Sequence, residues 1–152
     1  MNYKIILFGL ILLILACGVQ SVFAGEETVN GYKLTVPDDY TVTEQGTSSI
    51  SLGEKNHNAH IIIQFNVKQT PADVRAHLSK QGSKYIDNKT YDFGDYKITQ
   101  LNFQDSDGNF QYMYLCKKGD ETIGINMQSK NEQPQIGDNG NPLTGILSSI
   151  KH

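Results

Sequence analysis

The sequence predicts an α+β fold, in which an antiparallel sheet of about six strands carries one mid-chain helix and one C-terminal helix packed on it. Several segments alternate apolar and polar residues, a helix-start signal lies mid-chain, and an apolar stripe with helical spacing closes the sequence. The chain has 152 residues and a formal net charge of −3. This length favours a single domain, residues 25–152, after an export signal in residues 1–24.

The first 24 residues have the layout of a secretory signal peptide. Lys4 precedes an apolar run over residues 5–17, and Val22-Phe23-Ala24 places small residues at a cleavage site. The run is shorter than the roughly 20 residues that span a bilayer as a helix, although an uncleaved anchor is the alternative. Ile14-Leu15-Ala16-Cys17 also resembles a bacterial lipobox, in which Cys17 would be lipidated. We therefore expect a secreted or cell-surface protein.

The charge and the cysteine content restrict the partners and the chemistry. Without Lys4, the 13 Lys and Arg residues become 12, against 16 Asp and Glu. This mild acidity argues against nucleic acid or an anionic membrane surface. We expect an unknown protein or small-molecule partner outside the membrane, with membrane contact only through an uncleaved or lipidated N-terminus. Cys116 has no partner for an internal disulfide once Cys17 is removed, and we expect it to be a buried small hydrophobe.

The first half of the domain shows three strand patterns. Residues 31–36 alternate, so that Tyr32, Leu34 and Val36 share one face, and Pro37 begins a turn. A short strand is predicted at residues 49–52. A stronger one covers residues 60–68, in which Ile62 interrupts the polar face.

Two helix starts are encoded locally. Thr70 is an N-cap residue, Pro71 stands at the first helical position, and Asp73 completes a variant of the capping box. Val74 and Leu78 form the apolar stripe, and Gly82 ends the helix. The C-terminal helix starts with Asn141 and Pro142 in the same roles. Its apolar residues fall at i, i+3, i+4 and i+7, and are Leu143, Ile146, Leu147 and Ile150.

Between the helices, residues 85–128 predict an antiparallel meander. The alternation breaks between Ile98 and Leu101, which predicts a β-bulge near Thr99-Gln100. In residues 110–116, Tyr112 and Tyr114 share one face, while the other face is also apolar. Such a strand should be covered, at least in part, on both sides.

The order of these elements resembles a known group of small exported domains. A strand with the pattern Y-x-L-x-V-P-x-x-Y, a TPADVRAHL helix, a meander and a final ILSSIK helix are similar to the PsbP-like α/β/α sandwich group. The resemblance covers roughly residues 30–151 and rests on the order of elements. It implies the fold and an accessory or binding role without catalytic residues, and it implies no particular site.

The stretch Asp105-Ser106-Asp107-Gly108-Asn109 looks like the start of a calcium loop. Asp105, Asp107 and Asn109 match ligand positions 1, 3 and 5 of such a loop. However, Phe110 stands where glycine is needed, and Cys116 stands where a bidentate Glu is needed. A five-residue hairpin turn, with Gly108 at positive φ, accounts for all five residues. Weak adventitious calcium binding is the alternative.

A metal site is the second chemical candidate. His57 and His60, with Glu54 in the same loop, could chelate a metal, but on a strand the two histidines would point to opposite faces. A protein metal site normally uses three or four ligands. Polar loop residues before a strand are the simpler interpretation.

The remaining candidates are single residues. Tyr112 and Tyr114 could line a ligand surface, although core tyrosines are commoner. Asn88-Lys89-Thr90 fits the glycosylation acceptor pattern, with Asn88 as the acceptor. Catalysis by Cys116 is disfavoured because reactive thiols sit exposed in electropositive surroundings.

These observations predict a non-enzymatic secreted or cell-surface binding or accessory domain without a cofactor. The alternative is a small exported metal-binding domain that uses His57 and His60. An uncharacterised hydrolase is the third possibility, and no nucleophile motif supports it.

Overall fold

The structure is a computed structural model that describes residues 25–152. The described chain forms two helices and nine strands, in two sheets. The elements are β1 (Glu26–Val29), β2 (Tyr32–Thr35), β3 (Tyr40–Gln45), β4 (Ser49–Glu54), β5 (Ala59–Gln64), α1 (Pro71–Lys80), β6 (Lys84–Phe93), β7 (Tyr96–Gln104), β8 (Phe110–Lys118), β9 (Glu121–Ser129) and α2 (Pro142–Ser149).

The main sheet has seven antiparallel strands in the order β3-β4-β5-β9-β8-β7-β6. The pairing of β5 with β9 joins the N-terminal strands to the meander β6–β9. The other two strands, β1 and β2, form a separate hairpin. The α+β fold with a mid-chain and a C-terminal helix is therefore confirmed, while the strand count exceeds the predicted six.

The sheet is covered on both faces, by different layers. On one face, α2 and the β1–β2 hairpin close the larger core, which includes Leu34, Ile63, Tyr114 and Leu147. On the other face, Val74 and Leu78 of α1 pack in a smaller core. Strand β8 contributes to both cores, because its side chains alternate between them. This confirms the prediction that residues 110–116 are covered on both sides.

Both helices begin where their caps predict. In α1, the Thr70 N–H donates to Asp73 Oδ2 at 3.0 Å, and the Asp73 N–H donates to Thr70 Oγ1 at 3.2 Å. Gly82 follows the helix at a φ of 89°, which favours glycine. In α2, Asn141 Oδ1 accepts from the Leu143 N–H at 2.9 Å. The helix ends at Ser149, so Ile150 caps it rather than belonging to it.

The bulge predicted near Thr99-Gln100 was wrong. Strand β7 pairs without interruption there, and the register shift lies in β6, between Tyr85 and Asp87. Ile98 belongs to the larger core, whereas Leu101 belongs to the smaller one. The alternation breaks because the apolar side chains of β7 switch from one face of the sheet to the other. The backbone of β7 stays regular at that point.

Strand β5 is also shorter than predicted. It ends at Gln64, and Asn66 adopts a φ of 57°. The chain then crosses over, so that Phe65 packs in the larger core and Val67 in the smaller one. The apolar run continues past the strand because both sides of the sheet are covered.

Candidate functional site

A cleft of about 280 Å³ lies at one end of the main sheet, on the side of α2. Its floor is a row of side chains from four neighbouring strands: Tyr40 begins β3, Glu54 ends β4, Ala59 begins β5 and Ser129 ends β9. The register pairs Tyr40 with Glu54 and Ala59 with Ser129. Since strand pairing fixes these positions, the floor is rigid.

Loops and the start of α2 form the walls of the cleft. The β2–β3 connection supplies Pro37 and Asp39, and the β4–β5 turn supplies Asn58. The segment between β9 and α2 folds over the opposite side. That segment and the first residue of α2 contribute Asn131, Gln133, Gly140, Asn141 and Pro142.

Hydrogen bonds hold the long loop against the sheet. The Gln133 N–H donates to the hydroxyl of Tyr112 at 2.8 Å, and Gln133 Nε2 donates to Ser129 Oγ at 3.0 Å. Asn141 Nδ2 donates to the Pro134 carbonyl at 2.7 Å. Ser129 and Asn141 are both almost fully buried. The wall is therefore preorganised, as ligand sites usually are.

A buried polar atom of the cleft is left without a partner. It lies beside Tyr40, which is 3% exposed and pairs with Glu54 in the register of β3 and β4. Oε2 of Glu54 is buried and has no hydrogen-bond partner within residues 25–152. Burial raises the pKa of Tyr40, and the charges of Glu54 and Asp39 raise it further. The hydroxyl thus sits in a negative field.

The acidic stretch after β7 is a turn. Residues 105–109 connect β7 to β8 as the predicted five-residue hairpin loop, with Gly108 at a φ of 83°. Asp105 Oδ1 accepts from the N–H groups of Asp107 and Asn109, each at 2.9 Å. Asp105 Oδ2 accepts from Asn109 Nδ2 at 3.2 Å. Both carboxylate oxygens therefore stabilise the loop itself, as Asp does in turns.

The predicted metal ligands are not brought together. Glu54 lines the cleft, on the side of the larger core. His60 alternates with Ile61 and so faces the other side of the sheet, with Ile62. His57 lies in the turn at a φ of 58°. Among residues 25–152, no group of three His, Cys, Asp or Glu side chains is placed to hold a metal ion.

Tyr112 and Tyr114 lie in the larger core. They are 5% and 0% exposed, which agrees with the commoner interpretation as core tyrosines, and a ligand role for them stays a prediction. The Tyr112 hydroxyl anchors the loop that walls the cleft. Cys116 is fully buried in the same core, and burial raises the pKa of its thiol. Its environment is that of a packed hydrophobe.

Asn88 lies on the exposed face of β6, the edge strand of the main sheet. Its Nδ2 donates to the hydroxyl of Tyr85. The position is open to solvent, and use of the glycosylation pattern stays a prediction. Cys17 and the cleavage site at Ala24 fall outside the described residues.

Of the residues that form the cleft, the sequence singles out Glu54 as a possible metal ligand, and it does not predict the cleft. The turn that begins at Pro37 and the helix cap at Asn141 are local predictions, and both agree with the structure. The signal in the sequence that could have indicated a site is the long polar loop between β9 and α2, because long ordered loops often carry function.

No family model matches this chain, and no curated protein matches it either. None of the helices in residues 25–152 is long and apolar enough to cross a membrane.

Proposed function

We propose that this protein is a non-enzymatic binding or accessory domain, exported from the cell, whose cleft holds a small ligand. The observation that carries the proposal is the buried, unpartnered Oε2 of Glu54, which lies on the floor of the cleft beside its strand partner Tyr40. A buried polar atom without a hydrogen bond costs roughly 1–3 kcal/mol of stability. A ligand that donates a hydrogen bond to Glu54 Oε2 would remove that cost.

The chemistry of the cleft favours binding over catalysis. The buried thiol of Cys116 lies in the larger core, and the cleft is lined by carboxylates, amides, a tyrosine and a serine. The Ser129 hydroxyl accepts hydrogen bonds from the Asn131 N–H and from Gln133 Nε2. No histidine lines the cleft to act as its base.

The N-terminal sequence supports export, and the resemblance to the PsbP-like group supports an accessory role. The rival, a metal-binding domain built on His57 and His60, gains no support, because Glu54 and His60 face opposite sides of the sheet.

A cleft-filling variant tests the proposal. Ala59→Phe would place a ring in the cleft, while Ala76→Phe makes the same change on the exposed side of α1. We expect ligand-observed NMR with a library of small polar compounds to give hits that Ala59→Phe abolishes and Ala76→Phe retains. Hits that survive in a folded Ala59→Phe variant would place binding elsewhere.

The intact mass of the native protein tests the export part of the proposal. A chain beginning at Gly25 is expected, and the same spectrum would reveal a lipid on Cys17 or a glycan on Asn88. A mass that retains residues 1–24 would contradict cleavage.

A further inference from the structure

The charge of the cleft is one-sided. Two carboxylates line it, from Asp39 and Glu54, and its lining contains no lysine, arginine or histidine. Interfaces and ligand sites place opposite charges together, because a like charge is repelled and an unpaired buried charge is costly. An anionic ligand is therefore disfavoured, and a cationic ligand is favoured.

The hydrogen-bonding capacity of the cleft is also one-sided. Gln133 Nε2 donates to Ser129 Oγ and to the Asn131 carbonyl, and Gln133 Oε1 remains as an acceptor. Oε2 of Glu54 is an orphaned acceptor, and the Tyr40 hydroxyl can accept as well as donate. An ammonium group has three donors and a guanidinium has five, and neither has an acceptor. Such a group matches the unfilled acceptors.

The cleft has apolar walls that a bare metal ion would not use. Pro37, Ala59 and Pro142 contribute apolar atoms, and Tyr40 lines the cleft from the edge of the larger core. The volume of about 280 Å³ is at the lower limit for ligand sites. It suits a short alkyl chain with one cationic head.

We propose, resting on the proposed function above, that the ligand is a small organic cation, a primary ammonium or guanidinium group on a short alkyl stem. Glu54 and Asp39 neutralise the head, Tyr40 contacts it, and Ala59 and the two prolines contact the stem. The same group could arrive as a free amine or as a lysine side chain of a partner.

Ligand-observed NMR and calorimetry test this with four probes: butylammonium, butylguanidinium, butanol and calcium chloride. We expect the two cations to bind at least about tenfold more tightly than butanol. Binding should weaken as NaCl rises from about 50 mM to about 500 mM. Nα-acetyl-lysine amide then separates the two sources, because a cleft that takes a partner's lysine should bind it at least as well as butylammonium.

Charge-removing variants locate the binding. Glu54→Gln should lower the affinity for butylammonium about tenfold or more, while Glu44→Gln, the same change on β3 outside the cleft lining, should alter it less than about twofold. If Glu54→Gln does not fold, as judged by its melting curve, Asp39→Asn replaces it, with a smaller loss expected because Asp39 is exposed.

The outcomes separate the two proposals. Equal binding of butanol and butylammonium, or calcium binding that excludes butylammonium and is lost in Glu54→Gln, would overturn the cation proposal. In that case, library hits abolished by Ala59→Phe would leave the binding function standing. Failure of the cations together with hits insensitive to Ala59→Phe would reject both.

Discussion

The two faces of the main sheet differ in chemistry. The face under α2 is lined by aliphatic and aromatic side chains and has the cleft at its end. The face under α1 has a smaller apolar cluster and a group of buried polar residues, Gln64, Gln111 and Asn126. On that face, Ser83 Oγ donates to Gln111 Oε1 at 2.7 Å. The difference indicates that the α2 face supplies most of the hydrophobic stabilisation and positions the site.

Matched leucines measure that difference most directly. Leu147 of α2 and Leu78 of α1 are each 1% exposed. We expect Leu147→Ala to lower the free energy of unfolding by about 4 kcal/mol and Leu78→Ala by about 2 kcal/mol, because the smaller core can collapse more readily around the lost volume. Urea unfolding measures both values. Equal losses would mean that the two faces are packed equally well.

The two helix caps sharpen the comparison. Asn141 is buried, and its side chain bonds to the Leu143 N–H and to the Pro134 carbonyl, whereas Thr70 is an exposed cap. We expect Asn141→Ala to cost about 2 kcal/mol and Thr70→Ala about 1 kcal/mol of unfolding free energy. Thermal unfolding compares them. A larger loss for Thr70→Ala would place the critical cap on the α1 side.

The smallest effect concerns His60, on the α1 face. Burial lowers the pKa of His60 below the ordinary value of 6.5. The unfolded chain therefore binds a proton at a higher pH than the folded chain does. The stability associated with a neutral His60 is complete above pH 6.5 and is lost as the pH falls from 6.5 toward the folded pKa.

We expect His60→Gln to flatten this pH dependence, by at most about 1.4 kcal/mol per pH unit. Urea unfolding between pH 7 and pH 5 measures it, and His57→Gln in the exposed turn is the control for the chemical change itself. An unaltered slope in His60→Gln would show that another group titrates in this range.

The sequence predicted the features that depend on local interactions. Thr70, Pro71 and Asp73 predict the start of α1 because the capping bonds join residues three apart. The two apolar faces of residues 110–116 predict burial on both sides of the sheet, since side chains alternate along any strand.

The features that were missed depend on distant partners. Strands β1 and β3 are rich in Thr, Glu and Gln, and pairing with β2 and β4 stabilises them more than their own pattern does. The cleft requires Tyr40, Glu54, Ala59 and Ser129 to align across four strands. That alignment follows from the register of β5 with β9, which no local pattern encodes.

The pairing of β5 with β9 also affects the order in which the chain folds. Residues 59–64 meet residues 124–129, and within the described chain this is the one strand pairing that joins the two halves of the main sheet. The meander β6–β9 closes by short hairpins, so it can serve as the early nucleus, whereas the long-range pairing must bridge about 60 residues at a loop-closure cost. The cleft, which needs Ser129 of β9 beside the ends of β3, β4 and β5, would therefore be completed last.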